Sequence, residues 1–65
     1  MNIIEGLQKE MQRNRELVEI YKSIPTGAFG AAMIQMDINV AESAIATGDT
    51  IKMIQIYETL KNNKS

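Results

Sequence analysis

The sequence predicts an all-α protein of three helices, a long helical hairpin followed by a short C-terminal helix. Two observations carry this prediction. Apolar residues recur at spacings of three and four along most of the chain, and this pattern is interrupted at Pro25 and at the pair Gly48–Asp49. We expect residues 1–62 to form a single helical domain and residues 63–65 to form a disordered tail.

The small size of the chain predicts that homo-oligomerisation completes the fold. A chain of 65 residues buries only ~60% of the surface that its unfolded form exposes. Disulfides or a zinc ion stabilise many domains of this size, but the chain contains no cysteine and no histidine. Because 45% of its residues are hydrophobic, association is the remaining route. We expect neither a metal nor a cofactor.

The first predicted helix covers residues 2–23 and has one apolar face. Pro25 ends it, because proline disfavours the helical conformation of the preceding residue and has no backbone N–H. The apolar face contains Ile4, Leu7, Met11, Asn14, Val18 and Tyr21. We interpret Asn14, the polar exception, as a register-setting amide that bonds to its counterpart across a helix pair. A ligand contact and a solvated rim position are the alternatives.

The second predicted helix runs from about Gly27 to Thr47, with Thr26 as its N-cap. It has two apolar stripes, one of Phe29, Met33, Met36 and Val40 and one of Ile34, Ile38, Ala41 and Ile45. A helix that is apolar over most of its circumference is typical of a buried helix, so we expect a second subunit to cover it. The predicted oligomer interface consists of Met11, Asn14, Val18, Met33, Met36 and Val40.

The third predicted helix covers residues 50–62. Gly48 ends the second helix, because glycine adopts the left-handed conformation at little energetic cost. Asp49 is a good N-cap for the third helix. The inward side chains are predicted to be Ile51, Ile54, Tyr57 and Leu60, with Met53 and Ile56 flanking them.

Composition points away from catalysis, duplex nucleic acid and membranes. Without histidine or cysteine, and with most carboxylates on solvated helix faces, we expect no enzyme. The formal net charge is −1 and the two signs alternate, which disfavours duplex binding. No apolar run approaches the ~20 residues of a membrane span, and the start lacks the pattern of a signal peptide. We expect a soluble cytoplasmic protein, in the host cytoplasm if its origin is viral.

The stretch IPTGAFGAAM, residues 24–33, is the candidate ligand site. Free N–H groups at the start of a helix accept anions, and small residues there leave a flat surface. The predicted ligand-binding residues are Lys22, Thr26, Gly27, Phe29 and Gly30, as counter-charge, cap, backbone, stacking ring and backbone. The alternative is packing, in which the small residues let another helix approach closely and Phe29 is buried beneath them.

Residues 21–61 carry a resemblance to a family. YKSIPT, the GAFGA turn, the MI…DI…AE…AIA…GD helix and the closing MI…YE.LK helix resemble a pattern in short helical proteins encoded by tailed phages and prophages. The resemblance implies a viral origin and a small helical build, and it carries no site residues. In scale and class, though in no aligned motif, the chain is similar to the anti-CBASS and anti-Thoeris sponge proteins, which sequester nucleotide-derived immune signals.

Two functions follow as hypotheses. The first is a homo-oligomeric anti-defence protein that sequesters a nucleotide-derived signal at its subunit interfaces. The second is an inhibitor or adaptor that docks an apolar helix face, that of the first helix, onto a host protein.

Overall fold

The computed structural model describes residues 2–64 and confirms an all-α fold of three helices. Helix α1 spans Ile3–Lys22, α2 spans Ala28–Thr47 and α3 spans Thr50–Asn62. Each helix packs against the other two. The short turns after α1 and α2 each reverse the chain, so α3 runs alongside α1 in the same direction and antiparallel to α2.

The helix boundaries follow from local capping. The side chain of Asn2 accepts a hydrogen bond from the Glu5 N–H (2.8 Å) at the start of α1, and Asp49 accepts one from the Lys52 N–H (3.0 Å) at the start of α3. Gly48 ends α2 in the left-handed conformation, with φ 69°. The predicted break at Gly48 and the predicted N-cap at Asp49 are therefore confirmed.

The core lies along the line where the three helices meet. Small side chains contributed by α2 let α1 and α3 approach it closely. The buried apolar residues are Leu7, Met11, Leu17 and Val18 from α1, Ala31, Ile34, Ile38, Ala41 and Ala44 from α2, and Met53, Ile56 and Leu60 from α3.

The inward face of α3 differs from the prediction. Ile51 and Ile54, predicted to point inward, are exposed, and Met53 and Ile56 are buried instead. The fully buried Leu60 marks the side of α3 that faces the core. Residues three, four or seven positions away share its side of the helix, whereas Ile51, nine positions away, lies roughly half a turn round.

A buried amide joins α1 to the end of α3. Asn14 is fully buried. Its Nδ2 donates to the carbonyl oxygens of Glu10 (2.7 Å) and Leu60 (3.1 Å), and its Oδ1 accepts from Asn63 Nδ2 (2.9 Å). The same Nδ2 of Asn63 also donates to Asp37 Oδ2 on α2 (3.1 Å). These bonds satisfy Asn14 within one chain, so the predicted bond to a counterpart across a helix pair is not needed.

Arg13 caps the C-terminus of α3. Its guanidinium donates to the carbonyl oxygens of Leu60 (2.7 Å) and Asn63 (2.9 Å), at the end of the helix, where carbonyl oxygens lack the N–H partner four residues further along that the helix interior provides. Glu10 accepts from the same guanidinium at 2.9 Å and holds it in place. A cation at this position also interacts favourably with the helix dipole.

The end of the chain differs from the predicted disordered tail. Asn63 is half-buried, and the carbonyl oxygen of Lys64 accepts a hydrogen bond from the hydroxyl of Tyr21. The physical reason is that the caps of α3 come from α1, so the first residues after the helix follow α1 as well. Ser65 lies outside the described residues.

Candidate functional site

The most exposed apolar surface on α2 is a single stripe of four side chains. Their exposed fractions are 78% for Phe29, 48% for Met33, 60% for Met36 and 39% for Val40. The spacing of four, three and four residues places all four along one line, ~16 Å long on a helix that rises 1.5 Å per residue. We call these four residues the α2 face.

The α2 face is exposed because both neighbouring helices pack on the other side of α2. Ile34 and Ile38, near the middle of α2, are buried in the core, and they lie about half a turn from Met36 or Val40. The sequence thus makes α2 apolar on two sides, while a three-helix subunit covers only one. This agrees with the predicted two-stripe character of α2, and it leaves Met33, Met36 and Val40 available for contact.

Helix α2 itself carries little charge. Helix α2 contains no lysine or arginine, and its only charged residues are Asp37 and Glu42. Asp37 is half-buried and accepts from Asn63. Glu42, two positions after Val40, lies on the far side of the helix. Depletion of charge together with exposed methionine and aromatic side chains is typical of the centre of a protein–protein interface.

The structure divides the predicted oligomer interface into two groups. Met33, Met36 and Val40 belong to the α2 face. Met11, Asn14 and Val18 are 2%, 0% and 3% exposed. They lie inside the subunit's own core, so this surface does not present them to a second subunit. The reason is that α2 and α3 together cover the inner face of α1.

The turn before α2 differs from the predicted cap. The Gly27 N–H donates to the Ile24 carbonyl oxygen (2.9 Å), closing a turn through Pro25 and Thr26. Gly27 rather than Thr26 is the N-cap residue, and no side chain of the described residues caps α2. The prediction that Thr26 caps this helix was therefore wrong. The first-turn N–H groups of α2 have no side-chain acceptor at the cap position.

The two glycines of this stretch allow α1 and α2 to approach closely. A Cβ at Gly27 would collide with the backbone carbonyl of Tyr21, whose carbon atom would lie 2.9 Å away. A Cβ at Gly30 would lie 2.5 Å and 2.6 Å from two ring carbons of Tyr21. Tyr21 therefore occupies the surface that the ligand hypothesis left open. For these two glycines the structure favours the packing alternative, although Phe29 is exposed rather than buried beneath them.

A cleft of about 350 Å³ lies between α1 and the first turns of α2. Its lining residues are Val18, Lys22, Ala28, Ala31, Ala32 and Gln35. Lys22 is the one predicted ligand residue among them. Its Nζ lies 3.5 Å from Glu19 Oε2 at an exposed position, where such a pair is weak. The cleft offers mainly apolar walls and one cation, which suits an apolar group that carries a single anionic substituent.

The five predicted ligand residues are thus not brought together in one site. Lys22 lines the cleft, Thr26 is exposed in the turn, and Phe29 belongs to the α2 face. Gly27 and Gly30 contact Tyr21 instead. Sequence reasoning also missed the amide cluster at the end of α3. Asn63, in the terminal stretch NNKS, gives no periodic signal, since its bonds to Asn14 and Asp37 depend on tertiary contacts.

Among residues 2–64, no group of three or more acidic, histidine or cysteine side chains could hold a metal ion. Within the same range, no helix combines the length and the apolar character required to cross a bilayer. Comparison with family models, with curated proteins and with solved structures finds no match to this chain.

Proposed function

We propose that this chain is a protein-association module that acts by binding another protein through the α2 face. The observation that carries the proposal is the exposed line of Phe29, Met33, Met36 and Val40. Burial of apolar surface drives most protein association. Aromatic and methionine side chains are enriched in such interfaces, where a few residues supply most of the binding energy.

The docking helix in this proposal is α2 and not α1. The sequence favoured α1 because its apolar stripe is wide. In the subunit that stripe is covered, since Leu7, Met11 and Val18 are buried. An exposed helix face with anchors at i, i+4, i+7 and i+11 has the spacing that helix-in-groove recognition uses.

Photo-cross-linking in cells tests this proposal without knowledge of the partner. A photoreactive amino acid replaces either Met36 on the α2 face or, as a control, Ile51 on α3. Ile51 is also apolar and is 72% exposed. We expect a covalent protein adduct from position 36 and a much weaker one from position 51. Excess unlabelled wild-type chain competes for the adduct, and excess Met36→Lys chain does not. Equal labelling from both positions, or labelling that neither competitor changes, contradicts the proposal.

The second candidate function is sequestration of a nucleotide-derived anion, which would agree with an anti-defence role. The observation that favours it is the cleft that places Lys22 beside the first turns of α2. Helix N-termini attract anions, and the volume of the cleft is within the range of small-molecule pockets.

Native mass spectrometry with cyclic nucleotides and ADP-ribose derivatives tests the second candidate. Binding in fixed stoichiometry that Lys22→Gln removes supports it. The matched control is Lys52→Gln, because Lys52 is an exposed lysine on α3 and does not line the cleft. Retention of every compound's binding in Lys22→Gln, or the absence of any binding to the wild-type chain, contradicts it.

A further inference from the structure

We propose that the partner of the α2 face is a second copy of this chain, whose own α2 packs antiparallel across it about a twofold axis. This inference rests on the proposed function, because it names the partner of the same surface. It commits the chain to a homodimer with a defined register.

The register follows from the spacing of the α2 face. Alternating steps of four and three residues are the pattern of a helix that packs along its length against another helix at a shallow angle. The midpoint of the stripe falls between Met33 and Met36. A twofold axis at this midpoint places Phe29 opposite Val40 of the partner subunit and Met33 opposite Met36 of the partner subunit.

Side-chain size favours the antiparallel over the parallel arrangement. In the antiparallel pair, the largest residue of the stripe meets the smallest at both ends, and two flexible methionines fill the centre. In a parallel pair, two Phe29 rings would meet at one end and two Val40 side chains at the other. That arrangement crowds one end and leaves the other underpacked, and both errors destabilise an interface.

Electrostatics agrees with this choice. Antiparallel helices place opposite ends of their dipoles side by side. Helix α2 has no lysine or arginine, so pairing two copies of it desolvates no cation on this helix. Asp37, the carboxylate nearest the stripe, already accepts from Asn63. The surface is thus complementary to itself, which is what a twofold interface requires.

The exposed area indicates a reversible dimer. The exposed fractions of the four side chains together equal a little more than two whole side chains per subunit. Two helices of ~30 Å paired along their length bury on the order of 1,000 Å² in total, near the lower limit for specific complexes. We therefore expect dissociation in the micromolar range, visible on dilution.

Sedimentation velocity across micromolar to millimolar concentrations tests the dimer. We expect the wild-type chain to change from monomer to dimer across this range. Met36→Lys should raise the dissociation constant by at least ~100-fold, because twofold symmetry places two ammonium groups in the apolar centre. The matched control Ile51→Lys, an exposed apolar residue outside the α2 face, should dimerise as the wild type does. Thermal unfolding of both variants verifies that each one folds.

Cysteine cross-linking tests the register, since the chain contains no cysteine of its own. A mixture of Phe29→Cys and Val40→Cys chains should form a cross-linked heterodimer with a short thiol-reactive reagent. Phe29→Cys alone should not, because its two thiols would lie ~16 Å apart along the helices. Strong cross-linking of Phe29→Cys alone indicates the parallel pair and overturns the proposed arrangement.

The outcomes separate this inference from the function on which it rests. A wild-type chain that stays monomeric at millimolar concentration overturns the homodimer. If position 36 still gives an adduct that wild-type chain competes for, the association module stands with a different partner. If neither dimer nor adduct forms, both proposals fall. A dimer that Met36→Lys leaves intact places the interface elsewhere and overturns the inference.

Discussion

Replacement of Asn14 by alanine tests whether the buried amide holds α3 in place. Asn14 is fully buried and takes part in three hydrogen bonds, two as donor and one as acceptor. The substitution removes all three and leaves a space the size of an amide group. The partner groups are not all orphaned, because Leu60 still accepts from Arg13 (2.7 Å) and Asn63 still donates to Asp37 (3.1 Å).

The expected loss is ~2.5 kcal/mol of unfolding free energy. Each hydrogen bond is worth ~1 kcal/mol net, and alanine recovers roughly 0.5 kcal/mol through its higher helix propensity. A domain of this size has ~3–10 kcal/mol in total, so the loss is a large share. It corresponds to a decrease of ~10–20 °C in the midpoint of thermal unfolding.

Asn14→Asp tests the hydrogen bonds more specifically than Asn14→Ala, because it preserves the size of the side chain. Two donated hydrogen bonds become contacts between a carboxylate and the carbonyl oxygens of Glu10 and Leu60. An uncompensated buried charge costs ~3–5 kcal/mol, so the loss at neutral pH should exceed that of Asn14→Ala. Protonation removes the charge and restores one donor. The difference between this variant and the wild type should therefore shrink as the pH falls towards 4.

Urea unfolding followed by circular dichroism, at one fixed protein concentration, measures both variants. The control is Asn39→Ala, the same substitution at an exposed helical position whose side chain bonds to Gln35 at the surface (3.0 Å). We expect it to stay within ~0.5 kcal/mol of the wild type. An Asn14→Ala variant as stable as this control would refute the view that the amide cluster fixes α3. An Asn14→Asp variant whose loss of unfolding free energy does not change with pH would refute it as well.

Four further substitutions test other features of the fold by the same unfolding assay. Gly27→Ala should cost more stability than Gly30→Ala, because the first meets the rigid backbone carbonyl of Tyr21 and the second meets its movable ring; equal losses would contradict this reasoning. Gly48→Ala should cost ~1 kcal/mol from the left-handed backbone alone, since a Cβ there contacts nothing within 4 Å; a neutral effect would contradict it. Arg13→Lys should lower stability by ~1–2 kcal/mol, because one ammonium cannot reproduce the bonds to Leu60, Asn63 and Glu10; wild-type stability would contradict that cap.

The local elements of the fold could be predicted from the sequence, because their signals are local. Pro25 restricts the residue before it, Gly48 adopts the left-handed conformation, and the Asp49 carboxylate reaches an N–H three residues along. Each depends on neighbours within one turn. The two apolar sides of α2 are likewise a property of its sequence alone.

The rotation of α3 and the location of the exposed apolar surface could not be predicted in the same way. The sequence offers several apolar lines on α3, and contact with two other helices selects the one through Leu60. The same contacts bury Asn14 and bring Asn63 back against it. They also turn Tyr21 onto Gly30, which fills the surface proposed for a ligand.

The sequence by itself determined three amphipathic helices, their breaks and a surplus of apolar surface. Only the tertiary structure decided where that surplus lies. Periodicity shows which residues share a side of a helix, but not which side its neighbours cover. The packing of α1 and α3 on the same side of α2 decides this, and it leaves Phe29, Met33, Met36 and Val40 exposed.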